Sequence, residues 1–387
     1  MNTIYLDNNA TTNIAPEVLQ EMLPYLKELY GNPSSMHTFG GQLHRKVEEA
    51  RGKVAGLIGA EPGEIIFTSC GTESDNTAIM SAAESLPQKK HIITSRAEHP
   101  AVLNFCKHLA RKGCRITFVP VDKRGQLNMD EFRKCLDDGT LIVSLMYANN
   151  ETGVIFPLME IGEMLKERGI LFHTDAVQAV GKIPIDLKKL PVDMLSLSGH
   201  KLHAPKGVGA LYVRKGTRFN PYIIGGHQEH GRRAGTENVA SIVGLGKACE
   251  LAGENLYNEM TYLKALRDKL ETALLKLCPD ARVNGDTENR LPNTTNLSFE
   301  YVEGEAILLR LNEFGICASS GSACTSGSLE PSHVLRAMGV PATAIHGSIR
   351  FSLSRYNTEE EIDKVIEIMP GLIKELRNLS PYGRQKL

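Results

Sequence analysis

Strand-length apolar runs alternate with amphipathic helical segments in the first part of this chain. The runs occupy residues 64–68, 91–94, 116–119, 141–147, 170–173, 194–197 and 209–213. Amphipathic segments, such as 129–136 and 158–168, lie between several of them. Nearly continuous apolar strands separated by helices are typical of a parallel sheet that is covered on both faces. The pattern predicts an α/β domain with a mainly parallel, seven-stranded sheet that binds ligands at the carboxyl ends of its strands.

The residue pattern changes after residue 240. A long helical stretch, dense in Leu, Ala, Lys and Glu, is followed by further elements, and together they occupy residues 240–277, 294–299, 303–313, 348–354 and 358–377. Helices and strands in this order predict a smaller α+β unit. We therefore expect residues 15–260 to form a large domain, and residues 1–14 and 261–387 to form a small one.

Charge and hydropathy exclude several classes of partner. The chain carries 44 basic and 45 acidic side chains, for a formal net charge of −1. Nucleic acids and anionic membrane surfaces select for a basic excess, so we expect neither as a partner. The longest apolar run, around 141–148, has only strand length. Residues 1–7 lack the basic and apolar regions of a secretory signal, so we expect a cytoplasmic protein.

Cysteine and histidine spacing gives little support for a zinc site. None of the eight cysteines forms a C-x-x-C pair, and most are expected to be small buried hydrophobic residues. The pairs His200/His203 and His227/His230 have no third ligand in a zinc pattern.

The first predicted strand runs into a turn of small and hydroxyl residues, which includes Gly71 and Thr72, before a helix begins. Such a turn leaves backbone N–H groups free beside the positive end of a helix, which makes an anion or phosphate site. Ordinary capping of the helix is the alternative interpretation.

Two charged residues follow two other predicted strands. Asp175 ends an apolar segment, where a carboxylate is costly unless it is paired with a cation such as a protonated pyridine nitrogen. Lys201 lies between phosphate-friendly residues, Ser198 and His200, at the end of the next strand, which suits a Schiff-base lysine. A lone lysine would be read as a solvated surface charge. Together with the phosphate turn, the acid and the lysine predict a pyridoxal phosphate enzyme.

Several motifs identify a family. They are YLDNNATT at 5–12, GNPSS at 31–35, AEHP at 97–100, ANNETG at 148–153, HTDAVQ at 173–178, SGHK at 198–201, GRRAGTE at 231–237 and SGSAC at 320–324. They closely resemble the motifs of cysteine desulfurases in the aminotransferase class V group, and within it the nitrogen-fixation, NifS-like type of the NifS/IscS group. The resemblance covers nearly the whole chain. It implies the fold type I of pyridoxal-phosphate-dependent transferases, with pyridoxal 5'-phosphate as the cofactor.

The resemblance implies a role for each matching residue near the cofactor. Lys201 would carry the cofactor and move the proton at the substrate Cα. Asp175 would pair with the pyridine nitrogen, and Gln178 would hydrogen-bond the ring oxygen. His99 would stack on the ring and assist proton transfer. The residues that would hold the phosphate are Gly71, Thr72, Ser198 and His200.

Three further residues receive roles from the same resemblance. Thr236 would reach the phosphate in the other subunit, which implies a homodimer with sites at its interface. Asn150 would lie beside the ring and the substrate. Arg350 would clamp the substrate carboxylate, a task that suits a bidentate guanidinium. Without the family match, Arg350 would be read as an exposed charge on a strand.

Cys324 lies in a stretch of small polar residues at 318–328, which we expect to form a flexible, exposed loop. The resemblance implies that Cys324 attacks the sulfur of L-cysteine, leaves L-alanine, and keeps the sulfur as a persulfide. The acceptor would be an iron–sulfur scaffold protein of the NifU/IscU type, and Cys324 is also a candidate iron–sulfur ligand shared with it. Cys317, in an apolar context, is interpreted as structural.

Two other functions remain open from the sequence. The chain could be a selenocysteine lyase or another class V pyridoxal phosphate enzyme, although Cys324 in its loop favours desulfuration. It could also be a non-enzymatic thiol or iron–sulfur carrier, which the combination of Lys201 and Asp175 disfavours.

Overall fold

The computed structural model describes residues 3–320 and 331–380. Its strands are β1 (Ile4–Tyr5), β2 (Ile65–Thr68), β3 (His91–Ser95), β4 (Arg115–Val119), β5 (Thr140–Met146), β6 (Leu171–Asp175), β7 (Met194–Ser198), β8 (Gly209–Val213), β9 (Ala281–Val283), β10 (Thr294–Phe299), β11 (Ile316–Cys317) and β12 (Ser348–Ser352). Its α-helices are α1 (Pro16–Lys27), α2 (Thr38–Ile58), α3 (Gly71–Ser85), α4 (Pro100–Arg111), α5 (Met129–Cys135), α6 (Leu158–Glu167), α7 (Val239–Asn258), α8 (Lys264–Leu277), α9 (Gly304–Glu313), α10 (His333–Ala337), α11 (Ala342–Ile345) and α12 (Glu359–Leu379).

The seven predicted apolar runs are the seven strands of the large sheet, in the order β2-β8-β7-β6-β5-β3-β4. β8 pairs antiparallel with both of its neighbours. The other pairs are parallel. The predicted mainly parallel α/β sheet is therefore confirmed. Because its parallel strands point the same way, the residues that follow β6 and β7 meet at one edge.

Local sequence explains where several helices begin and end. His99 accepts a hydrogen bond from the amide of Ala101, and Pro100 occupies the first helical position of α4. Thr358 and Glu361 form a capping box at the start of α12. Helix α2 ends at its C-cap, Gly59, which has a φ of 69°, a left-handed conformation that glycine adopts without steric cost.

A smaller set of elements follows the large sheet. β12, β10 and β9 form an antiparallel sheet, and β1 pairs in parallel with β11. Buried residues of this sheet pack with α8, α9 and α12, and the N-terminal residues Ile4 and Leu6 join the same cluster. The elements expected after residue 240 are therefore present, with small differences in their ends.

The helical stretch predicted at 240–277 is interrupted by a π-helical turn at Glu259–Leu263. α7 contributes buried residues to the cluster under the large sheet, whereas Leu263 and α8 contribute to the second cluster. The π-helical turn thus lies where the chain passes from one core to the other. None of the helices in the described residues has the length and apolar character needed to cross a membrane.

Candidate active site

A cavity of about 270 Å³ lies at the carboxyl ends of the central strands. It brings together residues that the sequence placed far apart, and the predicted site residues that line it are Gly71, Thr72, His99, Asn150, Asp175, Gln178, Ser198, His200, Lys201 and Arg350. Asn9, Ala10, Cys70 and Asp75 also line it. The convergence of a lysine, two acids and a helix N-terminus in one cleft is typical of an active site.

One end of the cavity is suited to an anion. The 15-residue helix α3 begins at Gly71, and Cys70 gives its first turn no side-chain cap within the described part of the chain. The buried Ser198 hydroxyl has no hydrogen-bond partner among residues 3–320 and 331–380. A Cβ at Gly71 would come within 2.7 Å of Val177 Cγ2, so the close approach of this backbone requires glycine. Free amides at a helix N-terminus and an unpartnered hydroxyl fit a phosphate group.

Lys201 lies in a short 3-10 turn, Gly199–Lys201, directly after β7. Its Nζ donates hydrogen bonds to the main-chain oxygens of Asn9 and Ala10, both at 2.6 Å. The amide of Thr12 donates to His200 O at 3.0 Å, which fastens the N-terminal segment over this turn. Asn9 and Ala10 act through their carbonyls, so residue type alone gave no signal for them.

Asp175 is the last residue of β6 and is buried. Its Oδ1 accepts a hydrogen bond from Val177 N at 2.9 Å. Burial raises the pKa of Asp175, and the nearby His99 and Lys201 act in the opposite direction. A cation placed against this carboxylate would offset the cost of its burial, which is the environment that a protonated pyridine nitrogen needs.

Asp75 is a buried acid of the cavity that the sequence interpretation missed. Its Oδ1 lies 3.6 Å from His173 Nε2 and has no hydrogen-bond partner among the described residues. Burial, reinforced by the charge of Asp175, raises the pKa of Asp75 well above its ordinary value. Asp75 follows Gly71 by four residues, so one helical turn places both on the same face of α3. That spacing was the available signal.

His99 lines the cavity from the start of α4. Its Nδ1 accepts a hydrogen bond from Ala101 N at 3.1 Å, so the proton of the neutral ring lies on Nε2. Burial lowers the pKa of His99, and Lys201 adds to this effect while Asp175 opposes it. Burial also lowers the pKa of His200, to about 4. Both imidazoles are therefore neutral near pH 7.

Arg350 reaches the cavity from β12 and is buried. Its Nη2 donates to Asp7 Oδ1 at 2.6 Å, and its Nη1 donates to the main-chain oxygen of Asn150 at 3.0 Å. Its buried Nε has no partner within the described ranges. Arg350 is thus fixed in place by Asp7, whose role the sequence interpretation did not include, and its Nε–H remains available for an anion.

The sequence matches the aminotransferase class-V family over residues 4–365. The chain belongs to this family. It is 62% identical over 382 residues to the cysteine desulfurase of Trichormus azollae, covering 99% of this chain and 96% of that one. It is 59% identical over 383 residues to the cysteine desulfurase NifS of Azotobacter vinelandii, covering 99% and 95%. A solved structure of a NifS-like protein matches it with a TM-score of 0.91 and 42% identity, covering 97% of this chain and 100% of that one.

These comparisons confirm that the chain is a member of the cysteine desulfurases of class V, with the fold of the type I pyridoxal phosphate enzymes. Pyridoxal phosphate is the cofactor of this class. The anion site at α3, the buried carboxylate of Asp175 and the lysine at the end of β7 fit its phosphate, ring nitrogen and aldehyde.

Thr236 is exposed and lies outside the cavity of its own chain. The preceding segment is firmly held: Arg233 donates to both carboxylate oxygens of Glu73 on α3, at 2.8 and 3.1 Å. Glu229 accepts from Arg51 Nη1 and Nη2, at 2.6 and 2.9 Å, and from Phe67 N at 2.8 Å. The segment before Thr236 is therefore anchored to the helix that begins at the anion site, while Thr236 itself is exposed and does not line that cavity.

Cys324 lies outside the described residues, so its predicted roles as nucleophile and as iron–sulfur ligand stay predictions. The ends of its segment can be located. Ser319 exchanges main-chain hydrogen bonds with Arg350. Beyond the gap, Ser332 donates to Glu151 Oε2 at 2.5 Å. His333 Nε2 lies 2.9 Å from the main-chain oxygen of Glu98. Both ends of the segment therefore start beside residues of the cavity.

Proposed function

We propose that this enzyme uses pyridoxal phosphate to convert L-cysteine to L-alanine and passes the sulfur to Cys324 as a persulfide. The observation that carries the proposal is that Lys201, Asp175 and the anion site at the start of α3 line one cavity, where the Ser198 hydroxyl has no partner among the described residues. A thiol carrier has no use for this combination. The high identity to cysteine desulfurases supports L-cysteine as the substrate.

The residues of the cavity would hold the cofactor by complementary charges and hydrogen bonds. The amides of Gly71 and Thr72, with Ser198 and His200, would bind its phosphate. Asp175 would pair with the ring nitrogen and keep it protonated. Gln178 would donate to the ring oxygen, and His99 would lie against the ring face. When bound, pyridoxal phosphate supplies an electron sink for the charge left at the substrate Cα.

Lys201 would carry the cofactor and, once the substrate amine replaces it, take the proton from the substrate Cα. The carbonyls of Asn9 and Ala10 already receive its Nζ, so they would orient the freed amine. Arg350 would clamp the substrate carboxylate with its guanidinium, whose Nε–H has no partner among the described residues, next to Asn150. These contacts would fix the Cα–H bond of the substrate relative to its base.

The sulfur step needs a thiolate from Cys324. Its attack on the substrate Sγ forms an S–S bond and breaks the Cβ–Sγ bond, whose electron pair stays with carbon. Protonation of that carbon gives alanine, so L-cysteine and the enzyme thiol yield L-alanine and the enzyme persulfide. The persulfide sulfur would then pass to an iron–sulfur scaffold protein, as part of cluster assembly linked to nitrogen fixation. Cys324 would have a second role there, as a cluster ligand shared with the scaffold.

The remaining features of the proposal concern organisation. Residues 15–260 would form the cofactor-binding domain, and residues 1–14 and 261–387 the small domain. Two chains would form a homodimer, in which the Thr236 hydroxyl reaches the phosphate of the neighbouring site. The anchoring of its segment by Arg233 and Glu229 supports this arrangement, because it holds an exposed Thr236 on a fixed part of the chain. The enzyme would act in the cytoplasm.

Replacing Cys324 with alanine tests the proposal, because it separates the two halves of the chemistry. The variant should still bind L-cysteine and change the visible spectrum of the cofactor, but alanine production and protein persulfide should both be lost. Cys317→Ala is the matched control, since Cys317 is a half-buried residue of β11.

The wild-type enzyme should be yellow, reducible by borohydride, and should release alanine and sulfide in equal amounts from L-cysteine with a thiol reductant. Absence of alanine would overturn the proposed activity. Normal turnover by Cys324→Ala, with loss in Cys317→Ala, would instead show that the wrong cysteine was chosen. Release of elemental selenium from selenocysteine without turnover of cysteine would identify a selenocysteine lyase.

A further inference from the structure

Lys182 is a buried lysine that the proposed mechanism does not use. Its Nζ donates to the main-chain oxygen of Gln178 and to Gln178 Oε1, both at 3.1 Å. On the other side of the amide, Gln178 Nε2 donates to the main-chain oxygen of Asn9 at 2.9 Å. The reverse orientation would place an NH2 group against an ammonium group and two oxygens against each other. Lys182 therefore permits one orientation of the Gln178 amide.

This orientation matters because Gln178 lines the same cavity as Lys201. Lys201 Nζ donates to the same Asn9 oxygen that receives Gln178 Nε2. The NH2 group has two hydrogens, and the bond to Asn9 uses one of them. The second remains for an acceptor in the cavity. The ring oxygen of pyridoxal phosphate is an acceptor, whereas the Oε1 of a reversed amide would repel it.

We propose that Lys182 is a positioning residue, which fixes the Gln178 amide so that its NH2 group faces the ring oxygen of the cofactor, with buried Glu259 as its counter-charge. The inference rests on the proposed use of pyridoxal phosphate. It assigns to Lys182 no contact with the substrate or with the reacting atoms.

Glu259 is placed for this task by an irregularity of its helix. It is the first residue of the π-helical turn Glu259–Leu263, and it is buried. π-Helical turns are frequent at functional sites. A cavity of about 20 Å³ is lined by Lys182, Lys201 and Glu259. It is large enough for one water molecule to link the Lys182 ammonium group and the Glu259 carboxylate. Arg355 lines the same cavity and is a further cation near Glu259.

The charges of this group respond to one another. Burial lowers the pKa of Lys182 to about 8, Glu259 acts to raise it, and Arg350 acts to lower it. Burial raises the pKa of Glu259 to about 7, and Lys182 and Arg355 act to lower it. The ammonium form of Lys182 therefore predominates near pH 7, and this form can donate to both Gln178 oxygens at once.

Lys182→Met keeps the apolar length of the side chain and removes the donor. Because the amide is then free to reverse, the apoenzyme should bind pyridoxal phosphate about three- to tenfold more weakly, the loss expected for one hydrogen bond. A donor to the ring oxygen disperses its negative charge. Without it the oxygen holds a nearby proton more tightly, so the pH midpoint of the visible cofactor band should rise by about half a unit or more.

Three further variants separate positioning from a simple charge balance. Glu259→Gln keeps the lysine and its bonds to Gln178, so the midpoint of the band should stay within 0.2 units (about the precision of such a titration) even if the melting temperature falls. The double variant Lys182→Met/Glu259→Gln also removes the buried carboxylate that Lys182→Met leaves without its lysine. It should regain stability relative to Lys182→Met but keep the shifted midpoint. Lys189→Met, at an exposed lysine, is the matched control and should resemble the wild type.

Gln178→Leu provides the reference for a lost donor. It should shift the band in the same direction as Lys182→Met, and adding Lys182→Met to it should cause no further shift. If Lys182→Met lowers the melting temperature but leaves the cofactor affinity and the band midpoint at wild-type values, the positioning role is wrong. If Lys182→Met fails to fold, the double variant decides the matter by the same two readouts. Failure of the wild type to bind pyridoxal phosphate would refute the proposed function, a result distinct from either.

Discussion

Neutralising Glu229 should destabilise the protein far more than neutralising a surface glutamate. The side chains of Arg51 and Glu229 are 3% exposed each, and two hydrogen bonds join them. Glu229 also accepts from Phe67 N, and the Arg51 guanidinium stacks over the Phe67 ring at 4.7 Å. Glu229→Gln keeps the shape of the side chain but leaves the Arg51 cation, which also donates to Ile65 O, with Glu48 as its remaining anionic partner among the described residues, and the Glu48 side chain is 37% exposed.

Breaking a buried, hydrogen-bonded ion pair by removing one charge costs about 3–5 kcal/mol. A chain of 387 residues has an unfolding entropy of about 0.8 kcal/mol per kelvin at its midpoint. The melting temperature should therefore fall by about 4–6 °C. Glu49→Gln is the matched control, because Glu49 lies on α2, the helix of Arg51, and forms exposed ion pairs with Arg45 and Lys46. Its loss should cost less than about 1 kcal/mol, or about 1 °C.

Scanning calorimetry of the wild type, both single variants and Arg51→Met/Glu229→Gln measures these effects. The double variant should be more stable than Glu229→Gln, because it carries no unpaired buried charge. Glu229 also has a positive φ of 49°, so the anchoring of its segment depends on its side chain rather than on backbone preference. If Glu229→Gln melts within 1 °C of Glu49→Gln (about the calorimetric error), the pair does not hold the segment, and the argument from burial fails.

Two predictions concern the chemistry directly. Lys201→Ala should abolish the turnover of cysteine to alanine, whether or not the cofactor is retained. No other described lysine donates to the Asn9 and Ala10 oxygens, so none can replace it as the base. Substantial turnover in a folded, cofactor-loaded variant would contradict the role of Lys201 as the base. Asp175→Ala should slow the exchange of the substrate Cα hydrogen with solvent deuterium by at least about a hundredfold, because the ring nitrogen of the cofactor loses its counter-charge. The exchange is measured by NMR, and a near-normal rate would show that Asp175 does not have this role.

Much of the fold could be predicted because apolar runs identify buried strands whatever their direction. The same property explains why the antiparallel orientation of β8 was not anticipated. Only residues 199–208 separate β7 from β8, and this length is too short for the helical crossover of a parallel pair. The π-helical turn at Glu259–Leu263 was also missed, because one extra residue per turn hardly changes the composition of a long helical stretch.

The site was predictable where its chemistry depends on residue type at a strand end, as for Asp175 and Lys201. It was not predictable where the main chain acts, as for the carbonyls of Asn9 and Ala10. Nor could the sequence reveal partners that meet only in the folded chain. Asp7 and Arg350 are 343 residues apart in sequence and form a hydrogen-bonded ion pair. The hydrogen bond from Lys182 Nζ to Gln178 Oε1 was not predictable either, because it depends on how the Gln178 side-chain amide is turned.

The helix cap formed by His99 constrains how protons can travel through this ring. Its Nδ1 lone pair is committed to Ala101 N–H at the start of α4. A proton added there would set two N–H groups against each other and forfeit the cap, at a cost of about 1 kcal/mol. While the cap is kept, the neutral ring has no free lone pair: its Nε2–H can donate a hydrogen bond into the cavity, but the ring cannot accept a further proton, and full protonation would give up the cap of the helix that presents it. The first turn of α4 thus keeps His99 as a neutral hydrogen-bond donor towards the cavity, with its tautomer set by a backbone amide rather than by an acidic side chain.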